Sequence, residues 1–126
     1  MVPPADSGHA WRPVATILVV DDQDLVRDVV RIALDDAGHR VLVAASPSAA
    51  LDLVRGETDI DLLLIDVVMP EVDAFELAGK LTIGLPAVKV LYMSGYTDAR
   101  EEGHFIQKPF SPSQLVATVE SILEGG

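Results

Sequence analysis

The sequence predicts an α/β sandwich in which helices cover both faces of a parallel sheet. Short runs of consecutive apolar residues recur along the chain, and continuous rather than alternating hydrophobicity indicates strands that are buried on both faces. Helical segments with recognisable start and stop signals lie between these runs. Strands and helices therefore alternate, and such strands are joined by right-handed crossover connections.

Five strands are predicted, and they begin only after a short tail. Residues 1–13 hold three prolines and no periodic apolar pattern, so we expect a flexible tail there and one domain over 14–126. The strands are predicted from the apolar runs at 17–20, 41–44, 62–65, 88–93 and, more weakly, 104–106.

The helices between the first strands carry local signals at their ends. The first is predicted over 24–37, where Gly38 supplies the stop and an apolar face recurs at helical spacing, made of Val26, Val30 and Ala33 and joined by Val29 and Ala37. The second is predicted to begin at Ser46 as N-cap, with Pro47 in its first turn.

The later helices differ in the strength of their signals. A third helix is predicted near 74–81, and the last begins at a capping box formed by Ser111 and Gln114. Between Met93 and Phe105 there is room for a loop and about one or two helical turns at most, given 3.6 residues per turn.

Composition limits the classes of function that are compatible with the chain. Its 126 residues suit one domain, and 49% hydrophobic with 23% charged residues is typical of a globular protein. The absence of cysteine excludes disulfides, thiolate metal sites and cysteine nucleophiles. A net charge of −11 disfavours direct binding of nucleic acid, and no apolar run is long enough to insert into a membrane. We expect a cytoplasmic location.

Polar groups follow four of the predicted strands. Asp21 and Asp22 end the first, Asp66 ends the third, Ser94 ends the fourth and Lys108 follows the fifth. Open parallel sheets bind ligands at the carboxyl ends of their strands, so these groups are predicted to converge at one edge.

Each of these groups also has a purely structural interpretation, as a helix cap, a turn residue or a neutralising lysine. All of those interpretations would have to hold together, and bunched carboxylates repel one another unless a cation is present. The set suits a hard divalent cation such as Mg²⁺ and an aspartate nucleophile that forms an acyl phosphate. An ammonium and a hydroxyl can stabilise the phosphoryl oxygens.

The motifs around these residues resemble the receiver domains of two-component response regulators, and most closely those of hybrid sensor histidine kinases. The resemblance spans about residues 16–123. It rests on Ile17-Leu18-Val19-Val20-Asp21-Asp22, Asp66-Val67-Val68-Met69-Pro70, Tyr92-Met93-Ser94-Gly95-Tyr96-Thr97 and Gln107-Lys108-Pro109-Phe110.

The resemblance implies a flavodoxin-like (CheY-like) sheet of order 2-1-3-4-5 and a signalling domain that catalyses only its own phosphorylation and dephosphorylation. It implies that Asp66 accepts a phosphoryl group from the phosphohistidine of a histidine kinase or a histidine phosphotransfer protein. Mg²⁺ would be bound by Asp22, Asp66 and the Val68 carbonyl, with Asp21 acting largely through water.

Further roles follow from the same resemblance. Ser94 would be the switch hydroxyl, Lys108 would pair with the phosphate, and Phe105 would be the switch aromatic. Val68 and Tyr96 occupy positions that tune dephosphorylation by controlling the access of water.

The chain departs from the family pattern in two places. Glu71 and Ala74 stand where the family usually has glycine, which predicts an altered turn after Pro70. Ser94 and Lys108 are closer together than is usual, so the helix between strands 4 and 5 is predicted to be shortened or absent.

Two other functions stay open at this point. The chain could be a receiver-like module that binds partners without being phosphorylated. It could also be a Mg²⁺-dependent phosphatase of small molecules, although Val67 and Val68 supply no general acid and the chain has no room for a cap over a substrate.

Overall fold

The computed structural model describes residues 15–56, 59–95 and 103–125, and the predicted N-terminal tail lies outside them. Five strands alternate with helices up to β4, and α4 follows β5. The elements are β1 (Thr16–Val20), α1 (Asp24–Asp36), β2 (Arg40–Ala44), α2 (Pro47–Gly56), β3 (Leu62–Asp66), α3 (Ala74–Thr82), β4 (Lys89–Ser94), β5 (His104–Gln107) and α4 (Pro112–Leu123).

The five strands form one parallel sheet in the order β2-β1-β3-β4-β5. This order confirms the flavodoxin-like topology. The register aligns Val20 with Ile65 and Asp66 with Met93, and it aligns Ser94 with Gln107. The strand ends that carry the polar residues therefore lie along one edge of the sheet.

Burial differs between the inner and outer strands. Every residue of β1 and β3 is buried, because both strands lie inside the sheet and between helices. The apolar run of β2 also predicts burial on both faces, and this prediction is wrong. β2 is an edge strand, and only Ala44 of its five residues is fully buried.

Two apolar cores lie on the two faces of the sheet. One packs α1 and α4 against the sheet and contains Ile17, Val19, Leu34, Leu64, Met93 and Leu115. The other packs α2 and α3 against the opposite face and contains Leu18, Ala50, Leu63, Ile65, Leu77 and Tyr92. Alternate residues of the same strands supply the two cores, as the pleat requires.

Local hydrogen bonds explain where the helices begin. The Ser46 hydroxyl accepts a bond from the Ala49 N–H, and the Ser111–Gln114 capping box is complete. Asp73 caps α3 by accepting bonds from the backbone of Phe75 and Glu76. No helix in the described ranges is sufficiently long and apolar to cross a bilayer.

The connection between β4 and β5 is short. β4 ends at Ser94 and β5 begins at His104, so only residues 95–103 join them. A helix as long as the 12-residue α4 does not fit in this connection. This agrees with the prediction of a shortened or absent helix, although residues 96–102 lie outside the described ranges.

Candidate functional site

Three carboxylates meet at the carboxyl edge of the sheet. Asp21 and Asp22 directly follow β1, and Asp66 is the last residue of β3. One carboxylate oxygen from each of the three lies within 4.8 Å of the others. Because β1 and β3 are neighbours in the sheet, the side chains that leave their ends point into the same space. This geometry confirms the prediction that these three carboxylates converge.

Asp66 lies at the base of the cluster and is fully buried. Its Oδ1 accepts hydrogen bonds from the Val68 N–H and from the Lys108 ammonium, each at 3.1 Å. Its Oδ2 is buried and has no hydrogen-bond partner among the described residues. One oxygen is therefore bound by the protein, and the other is free for a ligand.

Asp21 is held in a similar way beside Asp66. Its Oδ1 accepts a bond of 2.8 Å from the Gln23 N–H, whereas its buried Oδ2 has no partner in the described chain. The pKa of Asp21 is raised from 3.8 to about 6, mainly by burial and also by the nearby charge of Asp66, against the lowering effects of the Gln23 hydrogen bond and of Lys108. Keeping Asp21 ionised therefore costs free energy when no cation is bound to its carboxylate.

These donor atoms fit a hard divalent cation. Asp21 and Asp66 each carry a buried carboxylate oxygen that has no hydrogen-bond donor in the described chain, and the exposed Asp22 adds a third carboxylate to the cluster. Like charges at this spacing repel one another, and a cation of the Mg²⁺ type would offset that repulsion with the oxygen ligands that it prefers. The arrangement is a buried acidic pocket suited to such an ion.

Lys108 and Ser94 reach the site from the neighbouring strands. The Lys108 N–H donates to the Ser94 carbonyl at 2.8 Å, which joins the ends of β4 and β5. The Lys108–Pro109 peptide is cis. The Lys108 side chain is only 24% exposed and makes an ion pair with Asp66, and Ser94 is buried beside it at the end of β4.

Glu71 lies in the turn that follows Asp66, at one of the two positions in this turn where the family usually has glycine. Its φ is +61°, in the left-handed region that glycine adopts readily. The Met69 carbonyl accepts a bond of 3.2 Å from the Val72 N–H, and Pro70 and Glu71 occupy the central positions of this turn. A proline followed by a residue of positive φ is typical of a type II turn. Ala74, the other position at which the family usually has glycine, is a buried residue that begins α3.

The remaining predicted residues lie around the site at different depths. Phe105 stacks on Tyr92 with ring centroids 5.2 Å apart, and Phe75 of α3 contacts both rings. Val68 is 56% exposed at the mouth of the pocket, where its side chain is accessible to water. Tyr96 lies outside the described residues.

The comparison with known proteins supplies the family. Residues 17–120 match the response regulator receiver domain family. The chain belongs to that family. This receiver is 38% identical over 121 residues to the sensor kinase CckA of Brucella abortus, covering 87% of this chain and 13% of CckA. It is 33% identical over 115 residues to the response regulator receiver protein CpdR of the same organism, covering 85% of this chain and 94% of CpdR.

A solved structure agrees with the fold. The receiver domain of the hybrid histidine kinase CckA superposes with a TM-score of 0.77 at 34% identity, covering 86% of this chain and 99% of that chain. The relatives thus include a hybrid kinase, as the sequence motifs predict. This receiver spans about an eighth of the CckA kinase but nearly the whole length of CpdR.

Sequence reasoning missed two polar contacts in this receiver. Arg27 of α1 donates from Nη1 to the Asp21 carbonyl at 2.8 Å, and only its position one turn into the helix after the acidic pair could have indicated this. Asp61, which directly precedes β3, accepts a bond of 2.8 Å through its carboxylate from the Thr16 N–H at the opposite edge of the sheet. It therefore acts in the fold and not in the site.

Proposed function

We propose that Asp66 accepts a phosphoryl group from a phosphohistidine in the presence of Mg²⁺, and that the resulting aspartyl phosphate changes the contacts of this receiver with other proteins. Its only catalysis would be its own phosphorylation and dephosphorylation. The observation that carries the proposal is the state of the Asp66 carboxylate. It is fully buried within the acidic pocket, bonded through one oxygen to Lys108 and free at the other.

The transfer exchanges one bond to phosphorus for another. A carboxylate oxygen of Asp66 forms a bond to phosphorus, the bond from phosphorus to the imidazole nitrogen breaks, and the nitrogen keeps the electron pair. Attack by water on phosphorus later releases inorganic phosphate and restores the carboxylate. Bound Mg²⁺ supplies positive charge to the phosphoryl oxygens. Asp21, Asp22, Asp66 and the Val68 carbonyl are the residues that would hold it.

The neighbouring side chains suit the product. The Lys108 ammonium already lies 3.1 Å from Asp66 Oδ1, so it can move with small adjustment to a phosphoryl oxygen. Ser94 ends the adjacent strand β4, and its hydroxyl would donate to another phosphoryl oxygen. Phe105 would respond to that movement as the switch aromatic, and Val68 and Tyr96 would limit the approach of water.

The proposed donor is a histidine kinase or a histidine phosphotransfer protein. This proposal rests on membership of the receiver family and on the two relatives, one a sensor kinase and the other a response regulator receiver protein. The net charge of −11 gives no basis for direct contact with nucleic acid, so we propose that the output is a protein–protein contact.

Intact mass spectrometry tests the phosphorylation directly. Wild type, Asp66→Asn and the control Asp35→Asn are incubated with MgCl₂ and a small acyl phosphate, and parallel samples contain EDTA. Asp35 is an exposed carboxylate at the distal end of α1. We expect one added phosphoryl group on wild type and on Asp35→Asn, with none on Asp66→Asn or in EDTA.

Two results would contradict the proposal. Modification of Asp66→Asn to the wild-type extent would place the acceptor elsewhere. A wild-type chain that binds Mg²⁺ without gaining mass from the acyl phosphate or from a phosphorylated histidine phosphotransfer protein would be a binding module that resembles receivers only in fold.

A further inference from the structure

We infer that Arg27 is a positioning residue for the cation site, because its guanidinium holds the peptide group that joins Asp21 to Asp22. The inference rests on the proposed function, in which this acidic pair binds Mg²⁺. Arg27 lies on α1 and does not belong to the carboxylate cluster. Its role would be exerted through the backbone of that cluster.

The peptide group between Asp21 and Asp22 lies just past the end of β1, where the sheet holds the N–H of Asp21 but not its carbonyl. The strand ends at Val20, and the Asp21 N–H still donates to the Ala44 carbonyl at 3.1 Å. The Asp21 carbonyl is bound instead by Arg27 Nη1 at 2.8 Å. Because a peptide group is planar, fixing this carbonyl also fixes the amide of Asp22 and limits rotation between the two residues.

Arg27 makes two contacts, a hydrogen bond to the Asp21 carbonyl and an ion pair with Asp24, and they differ in their exposure to solvent. The Arg27 side chain is 15% exposed, whereas its ion-pair partner Asp24 is 81% exposed. An exposed pair within one helix contributes little, and the charged donor to a part-buried carbonyl is the stronger interaction. The guanidinium is thus tied to the backbone of the site and not only to its own helix.

The sign of the expected effect distinguishes positioning from simple electrostatics. Removing a positive charge near an acidic pocket strengthens cation binding by Coulomb attraction alone. If Arg27 positions the acidic pair, its removal must instead weaken binding. Arg31 is a matched control, because it lies one turn further along α1 and, among the described residues, makes no hydrogen bond or ion pair with the site.

The experiment is a calorimetric titration of the full chain with MgCl₂. We compare four proteins: wild type, Arg27→Met, Arg27→Lys and Arg31→Met. Arg27→Met keeps an aliphatic stem, and Arg27→Lys keeps a positively charged hydrogen-bond donor. We expect about tenfold weaker Mg²⁺ binding for Arg27→Met, as is usual when a group that orients metal ligands is lost. Arg31→Met should bind as wild type or slightly more tightly, and Arg27→Lys should recover most of the affinity.

Phosphorylation kinetics give a second readout that a general loss of stability would not produce. The phosphorylation rate of Arg27→Met should approach the wild-type rate at saturating Mg²⁺. Only the Mg²⁺ concentration that gives half of the maximal rate should rise. If the metal-free variant is partly unfolded, the Mg²⁺ dependence of its unfolding midpoint gives the same affinity.

The outcomes separate this inference from the proposed function. Equal Mg²⁺ affinities for Arg27→Met and Arg31→Met would overturn the positioning role, and the proposed function would stand if wild type is still phosphorylated on Asp66. A wild-type chain that binds no Mg²⁺ would overturn both.

Discussion

Among single residues, the acidic pocket combines three carboxylates in different surroundings. Asp21 and Asp66 are fully buried, and Asp22 is exposed. Burial makes the charge of the inner pair costly, and each charge increases the cost of the other. Lys108 makes an ion pair with Asp66 and also lowers the pKa of Asp21, although burial raises that pKa by more. Without a bound ion, the cost of the buried negative charge therefore appears as a raised pKa of Asp21.

The raised pKa of Asp21 predicts an unusual pH dependence of stability. The folded state binds this proton more tightly than the unfolded state, whose pKa is near 3.8, so the free energy of unfolding falls as the pH rises from about 4 through the folded pKa of about 6. The shift corresponds to about 3 kcal/mol. Urea unfolding in EDTA from pH 4 to pH 8 measures it.

Asp21→Asn isolates this contribution, because its side chain does not titrate. We expect the stability of wild type relative to Asp21→Asn to fall between pH 4 and pH 7, and then to remain constant. A difference between the two proteins that is independent of pH would contradict the assignment.

Glu71 predicts a second effect of a single residue. A left-handed backbone costs a non-glycine residue about 1–2 kcal/mol, and asparagine tolerates it better than most side chains. We expect Glu71→Asn to be more stable than Glu71→Gln by about 0.5–1 kcal/mol in urea unfolding. Both variants remove the same charge, so equal stabilities would show that the turn carries no such cost.

At the scale of elements, the sequence predicts best where local chemistry decides the outcome. The Ser111–Gln114 capping box and the stop at Gly38 lie where they are predicted, because caps and turns depend on a few neighbouring residues. The solvent exposure of individual side chains is predicted less well. Val29 is predicted on the buried face of α1 but is 55% exposed, since burial depends on which helices pack alongside.

The beginning of β5 depends on glycine for two reasons. Gly103 has a φ of +105°, and a Cβ placed there would lie 3.1 Å from Cε2 of Tyr92. Gly103→Ala would therefore strain the backbone and push against the aromatic cluster of Phe75, Tyr92 and Phe105. We expect a loss of about 1–3 kcal/mol in urea unfolding.

Gly84→Ala is the control for this prediction, because its Cβ would meet nothing within 4 Å and its backbone is not left-handed. We expect that substitution to change stability by less than about 0.5 kcal/mol. If Gly103→Ala were as mild, the aromatic cluster would have to be loose enough to absorb a methyl group.

Across the whole molecule, the sequence predicts the sheet and the convergence of its polar strand ends. Continuous apolar runs predict parallel strands, and the carboxyl ends of such strands meet at one edge. Asp21, Asp66 and Lys108 are therefore predicted to meet without any structure. The sequence does not reveal that Arg27 binds the Asp21 carbonyl or that Glu71 adopts a left-handed turn, because both depend on the exact path of the backbone.

The net negative charge of the molecule matters for the final prediction, which concerns how the free energy of unfolding depends on the MgCl₂ concentration. A net charge of −11 means that any salt relieves repulsion in this protein, so a rise in melting temperature with MgCl₂ is not by itself evidence of a site. A specific site differs in its concentration dependence. Above the dissociation constant, each tenfold increase in Mg²⁺ should add about 1.4 kcal/mol to the free energy of unfolding.

Sodium chloride at matched ionic strength provides the comparison, because it screens the surface without occupying the pocket. We expect wild type to gain clearly more from MgCl₂ than from NaCl, and Asp22→Asn to lose most of that excess. Asp22 is exposed, so its removal should perturb the fold little and act mainly on the ion. Equal gains from the two salts would mean that the cluster is only one part of a general negative surface, and the cation would then have no specific place in the function of this receiver.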